Sequence, residues 1–281
     1  MIDRLAGFFN QYSLKTRMFF TGTLCKNMDF DESSSGGYLH LLRRGTMIAS
    51  SPLHAPLTIT QPSLLFYPKP SKHRFVHDGD VDLMCTSIDL GGGSNNLLAE
   101  ALPTVLLISL SDLPMLATTL ELLFAEAEQQ HCGRQAAIDS LFEYLLIQLL
   151  RHIMDNNQSS FGLLAGLADK RLVKAITAMH NNPSEKWSLE ALADKAGMSR
   201  ARFAVHFKET VGTTPVDYLT KWRIGLAQTL LKKGKSANLA ANEVGYSSVA
   251  VFARAFKAQV GHTPKVWINL EAASAKKVTA D

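Results

Sequence analysis

Two short runs in the C-terminal third carry the side chains that a DNA duplex would take. In the first, Arg200, Arg202 and Lys208 stand among the small or apolar Ala201, Ala204 and Val205. In the second, Arg254 and Lys257 stand among Val249, Ala250 and Ala253. Lysine and arginine neutralise phosphates, an arginine fork pairs with a guanine edge, and small apolar side chains pack on thymine methyls. Each run follows a hydroxyl, Ser199 in one and Ser247 or Ser248 in the other, of the type that accepts a backbone N–H and caps a helix.

These runs must be held by a scaffold, and the scaffold is written twice. Aligning Gly197-Met198-Ser199 with Gly245-Tyr246-Ser247, with one extra residue in the second turn, sets Phe203, Phe207, Lys208, Val211, Gly212, Thr214 and Pro215 on Phe252, Phe256, Lys257, Val260, Gly261, Thr263 and Pro264. That is a duplication. Each copy reads as a short apolar-periodic helix, a glycine turn and a capped helix whose phenylalanines recur at i and i+4, a helix-turn-helix. The face opposite the phenylalanines is then free to enter a major groove. An apolar helix over 218–231 joins the copies, and Arg223, Lys232, Lys233 and Lys235 join Lys208 and Lys257 as candidates for phosphate contact.

At these residues the chain resembles the AraC/XylS type of bacterial transcription regulator. The likeness rests on Leu192-Ala193, Gly197-Met198-Ser199, Phe203, Phe207-Lys208, Gly212-Thr213-Thr214-Pro215, Arg223, Gly245-Tyr246-Ser247-Ser248, Phe252, Arg254-Ala255-Phe256-Lys257 and Gly261-His262-Thr263-Pro264. The resemblance implies that Ala201, Ala204 and Val205, and Val249, Ala250, Ala253 and Arg254, face the bases. It departs from the family's usual pattern at Val205, Val249-Ala250 and Trp267-Ile268. So few polar readers imply apolar contacts to thymine, with Arg254 the best hydrogen-bonding candidate.

The net charge of +4 conceals an asymmetry: residues 1–165 carry 11 Lys/Arg against 16 Asp/Glu, and 166–281 carry 18 against 9, or −5 and +9. A basic half suited to phosphate is joined to an acidic half with another task. Asp3, Arg4, Asn10, Gln11, Lys15 and Arg17 interrupt the apolar opening, so no signal or membrane segment is expected and the chain is placed in the cytoplasm. Cys25, Cys85 and Cys132 are odd in number and widely spaced, which suits neither a disulfide framework nor a zinc site. No cofactor is expected.

Residues 20–110 read as short strands (38–42, 57–59, 64–67, 74–77, 81–88 and 105–108) between turns at Ser33-Ser34-Ser35-Gly36-Gly37, Pro68-Lys69-Pro70, Asp78-Gly79-Asp80 and Gly91-Gly92-Gly93, suggesting a sandwich or small barrel. The resembled regulators often carry a cupin barrel there, and Leu64-Leu65-Phe66-Tyr67-Pro68 followed by His73 is similar to the second cupin motif, with Pro62-Ser63 in place of its Gly-Asp turn. A metal-dependent cupin enzyme is the alternative reading, but no HxH pair or carboxylate at ligand spacing accompanies His73, and His40 and His54 are isolated, so a packed or hydrogen-bonded histidine is preferred.

Over 113–154 the period becomes helical, in stripes Leu116, Leu120, Leu123, Phe124 and Ile138, Leu141, Phe142, Leu145, Leu149, Ile153, broken at His131-Cys132-Gly133. Tyr144, Leu146, Ile147 and Leu150 widen the second stripe, which together with the family's habit predicts a homodimer. The expected organisation is α+β: a cupin-like regulatory barrel (1–110), a two-helix dimerisation segment (111–155), a linker (156–165), an all-α double helix-turn-helix DNA-binding domain (166–270) and a flexible tail (271–281). The resulting reading is a regulator that binds promoter DNA and contacts RNA polymerase. An architectural DNA binder without a signal is the remaining alternative. The expected input is a small effector near Tyr38, His40, Tyr67 and His73. The resemblance also implies an oxidant switch at Cys25 and Cys85, with Lys26 beside the thiol, weighed against cysteine as an apolar core residue.

Overall fold

The structure, a computed structural model, describes residues 3–32, 36–91, 96–156 and 162–278, with side chains to residue 273. The turns expected at Ser33-Ser34-Ser35 and Gly92-Gly93 and most of the polar linker lie outside the described residues. The chain divides into two compact units, one of residues 14–90 and 102–158, the other of 1–13, 91–101 and 159–281.

The first unit is built on two antiparallel sheets. One has the order β1 (Lys15–Thr23), β8 (Asp82–Asp89), β3 (Gly37–Arg44), β6 (Ser63–Tyr67), β9 (Leu106–Ser109); the other has β2 (Met28–Phe30), β7 (His73–His77), β4 (Met47–Ser51), β5 (His54–Ile59). Side chains from both sheets, among them Phe30, Tyr38, Met47, Ile59, Leu65, Tyr67, Phe75, Leu83 and Cys85, close on one core. The central strand β3 is buried from Gly37 to Leu42, and it pairs β6 on one side and β8 on the other. Strands β1, β2 and β4 have no counterpart in the strand runs legible in the sequence.

Helices α3 (Ala117–Glu128) and α4 (Arg134–Asp155) turn at Gly133, whose φ of +81° is one that glycine alone adopts without strain. Strand β1 shifts register between Met18 and Phe20, and α4 supplies what the interrupted ladder leaves open. The Asp139 carboxylate accepts the Met18 N–H at 2.8 Å, and the Gln135 amide donates to the Met18 carbonyl at 2.9 Å. Helix α3 is tied to the sheet by Arg43, which reaches Glu128 at 2.9 Å and Asp82 at 3.5 Å and lies over the Phe124 ring. Leu146 and Leu150, expected as surplus apolar surface for a partner, are fully buried within the single chain.

The second unit is helical: α1 (Ala6–Phe9), α2 (Leu97–Glu100), α5 (Leu163–Ala168), α6 (Leu172–Asn181), α7 (Leu189–Ala196), α8 (Arg200–Val211), α9 (Pro215–Lys232), α10 (Ala237–Glu243), α11 (Val249–Val260) and α12 (Pro264–Val278). Three boundaries differ from the sequence reading. Residues 1–13 and 91–101, expected in the barrel, cluster with the helices, because Phe8 and Tyr12 pack on Trp222 and α2 packs on α5. Residues 163–165, expected as linker, begin α5. Residues 271–278, expected as a tail, continue α12.

Candidate nucleic-acid interface

Helix α7 starts where Ser188 accepts the Ala191 N–H at 3.0 Å and stops at Gly197, whose φ of +63° reverses the chain. Helix α8 follows at once. Its Phe203 and Phe207 are wholly buried, so the opposite side faces out: Arg200, Ala201, Arg202 and Lys208 are exposed, Ala204 is half-buried and Val205 is 57% exposed. Ser199 occupies the cap position, but its hydroxyl makes no capping bond.

The second copy repeats this geometry. Ser236 caps α10, Gly245 turns the chain at φ +87°, and Ser248 accepts the Val251 N–H at 3.3 Å to start α11. Ser248, not Ser247, is therefore the cap. Gly245 is needed for space as well as for φ, since a Cβ there would sit 2.5 Å from the Ser184 backbone. Phe252 and Phe256 are buried. Val249, Ala250, Arg254 and Lys257 are exposed, and Ala253 is half-buried.

Helix α9 separates the two copies, with Thr214 capping it, Pro215 at its first turn and a buried row through Tyr218, Trp222 and Leu226. The Tyr218 hydroxyl meets His180 Nε2 at 2.5 Å, and the His180 ring stacks on Trp222 at 3.7 Å. Burial holds His180 neutral, its pKa lowered to about 3.

Among the described residues, Arg200, Arg202, Lys208, Arg254 and Lys257 make no ion pair, so their charge faces outward. Arg223, expected at a phosphate, is placed otherwise. Its Nε and Nη2 donate to the Pro183 and Glu185 carbonyls at 2.6 and 2.8 Å, and its guanidinium lies over Tyr246, so it locks the 182–188 loop to α9. Lys232 and Lys235 are paired with Glu271 and Glu243, each at 2.6 Å.

In the sheet unit, Tyr38, His40, Tyr67 and His73 do come together, but inside the core. The His73 ring lies between Phe30 at 4.3 Å and Tyr67 at 4.1 Å, and its Nε2 is 3.0 Å from His40 Nε2. A carbonyl can only accept, so His73 Nδ1–H donates to Ser71 O at 2.8 Å. His73 Nε2 then accepts from His40 Nε2–H. The same logic makes His54 Nδ1 the donor to Ala55 O and His54 Nε2 the acceptor of the Tyr67 hydroxyl at 2.9 Å. His54, isolated in the sequence, thus belongs to the cluster. Nothing near it in the chain signals this, because its partner lies on another strand. His40 Nδ1 is buried without a hydrogen-bond partner among the described residues.

The hydrogen bond between His40 and His73 engages both Nε2 atoms, and among the described residues no three His, Cys, Asp or Glu side chains converge as a metal site would need. Cys85 lies opposite His40 in the β3–β8 register, and burial pushes its thiol well up, opposite to the shift a reactive thiolate needs. Cys25 is exposed, with its thiol 3.7 Å from the Thr23 carbonyl.

Comparison with known families finds a cupin model over residues 3–155 and a helix-turn-helix domain model over 192–269. The chain belongs to the AraC-type regulators that carry an N-terminal cupin domain. The cupin match runs unbroken through 3–13 and 91–101, stretches that pack with the helical unit in this AraC-type chain. It is 40% identical over 162 residues to an uncharacterized HTH-type transcriptional regulator of Haemophilus influenzae, covering 57% of this chain and 54% of that protein. It is 35% identical over 192 residues to a putative AraC-like transcription regulator of Streptomyces lividans, covering 66% and 62%. A longer match, 25% over 257 residues, is to the HTH-type transcriptional regulator MtrA of Neisseria gonorrhoeae, covering 81% and 84%. The chain thus spans about half to three-fifths of the length of the first two relatives. Among the described residues no helix is long and apolar enough to cross a membrane.

Proposed function

We propose that this chain is a sequence-specific transcription regulator that inserts α8 and α11 into the major groove of double-stranded promoter DNA. One observation carries the reading: twice over, a glycine-turned, phenylalanine-anchored helix presents exposed valine and alanine beside cations that have no ion pair among the described residues. Apolar side chains on that face suit thymine methyls, and Arg254 suits a guanine edge. The sheet unit serves as the regulatory half, in preference to an enzyme, because its histidines are committed to one another. Its input is a small effector that reaches the Tyr38, His40, Tyr67 and His73 cluster, where the unpartnered His40 Nδ1 could take a donor. The exposed Leu122 and Tyr144 on α3 and α4 support a homodimer, and contact with RNA polymerase completes the cytoplasmic role.

The test is selection of a preferred duplex from a random pool by the full chain, followed by titration of Arg254→Ala. Arg254 is exposed and has no ion pair among the described residues, so no intramolecular salt bridge competes for its charge there. Loss of roughly 1–3 kcal/mol on the selected duplex, with random duplex spared, is expected for base reading. Equal loss on both would reassign Arg254 to phosphate, and failure to select any sequence would defeat the reading.

A further inference from the structure

A second basic feature lies beside α8, contributed by a segment that the helix-turn-helix pattern does not include. The turn between α5 and α6 carries Lys170 and Arg171, both exposed and without an ion pair among the described residues. It is a built turn. Asp169 Oδ1 accepts the N–H groups of Arg171 and Leu172, both at 2.8 Å, which fixes the direction in which the two cations leave the backbone. Asp169 Oδ2 is 2.8 Å from His206 Nε2, so the turn is bolted to the side of α8. The hydrogen bonds from Leu172, Arg171 and His206 outweigh burial and hold the Asp169 carboxyl below its ordinary range, so it stays ionised and committed to these donors.

Between turn and helix is a cleft of about 330 Å3, lined by Asp169, Lys170, Arg171, Met198, Arg202 and His206. Three of these six are permanent cations, and the one anion is occupied. Arg202 and His206 are one helical turn apart on α8 and flank the face that carries Ala201 and Val205. A helix seated in a major groove has a phosphate strand along its flank, and the groove is only about 12 Å wide.

We propose that Lys170, Arg171 and Arg202 form a clamp for the DNA sugar-phosphate backbone beside α8, with the Asp169–His206 pair positioning it. The clamp rests on the reading of α8 as a groove-entering helix. It extends the DNA-binding surface to a turn upstream of the first helix-turn-helix copy. A backbone clamp fixes where α8 sits and carries no sequence information of its own.

The experiment uses the full chain, a random-sequence duplex pool and the duplex that the wild type selects from it. Lys170→Ala/Arg171→Ala alters two exposed side chains, and an unchanged melting curve confirms that the variant folds. The slope of log K against log salt should become shallower by about 0.9 for each phosphate that the variant no longer neutralises. Affinity should fall by the same factor on selected and random duplex. An unchanged slope overturns the clamp, and so does a loss confined to the selected duplex, which would make these side chains base readers. Val205→Asp separates the clamp from its premise. If Val205→Asp abolishes selective binding while the double variant changes nothing, α8 enters the groove and the clamp is wrong. If Val205→Asp binds as the wild type does, the placement of α8 fails and the clamp with it.

Discussion

Burial sets the charge state of the histidine pair in the sheet core. His40 is pushed well below the ordinary imidazole range, by burial first and by His73 second, and burial lowers His73 to about 4. In the unfolded chain each imidazole takes a proton below about pH 6.5, whereas the folded His73 refuses one until about pH 4. The unfolded state therefore binds more protons in that window. The stability linked to the pair is fully present above it and is lost as pH falls through it. For His73 the loss is on the order of 3 kcal/mol. Calorimetric melting should show a midpoint that drops between pH 7 and 4.5. In His40→Leu/His73→Leu, where both partners of the buried bond become apolar, the drop should shrink. If the double variant keeps the wild-type pH dependence, the pair is not its source.

At the scale of elements, the unexpected finding is that residues 3–13 belong to the helical unit. Helix α1 has only four residues, but it packs against α6 and sets Phe8 against Trp222 of α9. A Cβ on Gly7 would stand 2.7 Å from His180 Cβ, and one on Gly225 would stand 2.4 Å from the Tyr12 hydroxyl. Phe8 is 1% exposed and tilts against Tyr12 at 4.8 Å, and Tyr12 meets Trp222 edge-on at 5.2 Å. Phe8→Ala should therefore destabilise the DNA-binding unit by about 3–5 kcal/mol, the usual cost of emptying a buried aromatic site. Trp187, Trp222 and Trp267 all lie in that unit, so tryptophan fluorescence follows its melting directly. A wild-type fluorescence melting curve for Phe8→Ala would refute that packing. Nothing in 3–13 could have announced it, because four helical residues carry no periodicity and their partners lie more than 160 residues away. The double helix-turn-helix was legible for the opposite reason. Gly197, Phe203 and Phe207, like Gly245, Phe252 and Phe256, stand close together in the chain, so the turn and the i, i+4 spacing can be read from one short stretch even though Gly245 also meets Ser184. Strand β1 fell between these cases, since its alternation breaks at the Met18–Phe20 bulge and is completed by Asp139, far along the chain.

Over the whole molecule, the −5 and +9 of the two halves give the net surplus but not which cations can meet DNA, because several of them hold partners inside the fold. Lys221 is paired with Glu100 at 3.1 Å, Lys232 with Glu271, Lys235 with Glu243, and Arg223 holds two carbonyls. Along α8, α11 and the α5–α6 turn, the cations without an ion pair among the described residues are Arg200, Arg202, Lys208, Arg254, Lys257, Lys170 and Arg171. If most of these meet phosphate, the slope of log K against log salt should be about −5, from roughly 0.9 per neutralised phosphate. Lysines already holding a carboxylate have less counterion to release. Lys208→Ala and Lys257→Ala should therefore each make the slope shallower by about 0.9, whereas Lys232→Ala and Lys235→Ala should change it by clearly less. The sequence treats all these lysines alike, and only their partners separate them. Equal changes for all four would mean that the ion pairs open on DNA. A flat salt response in the wild type would remove the phosphate contacts altogether, and with them the account of why the basic half of this chain carries its charge.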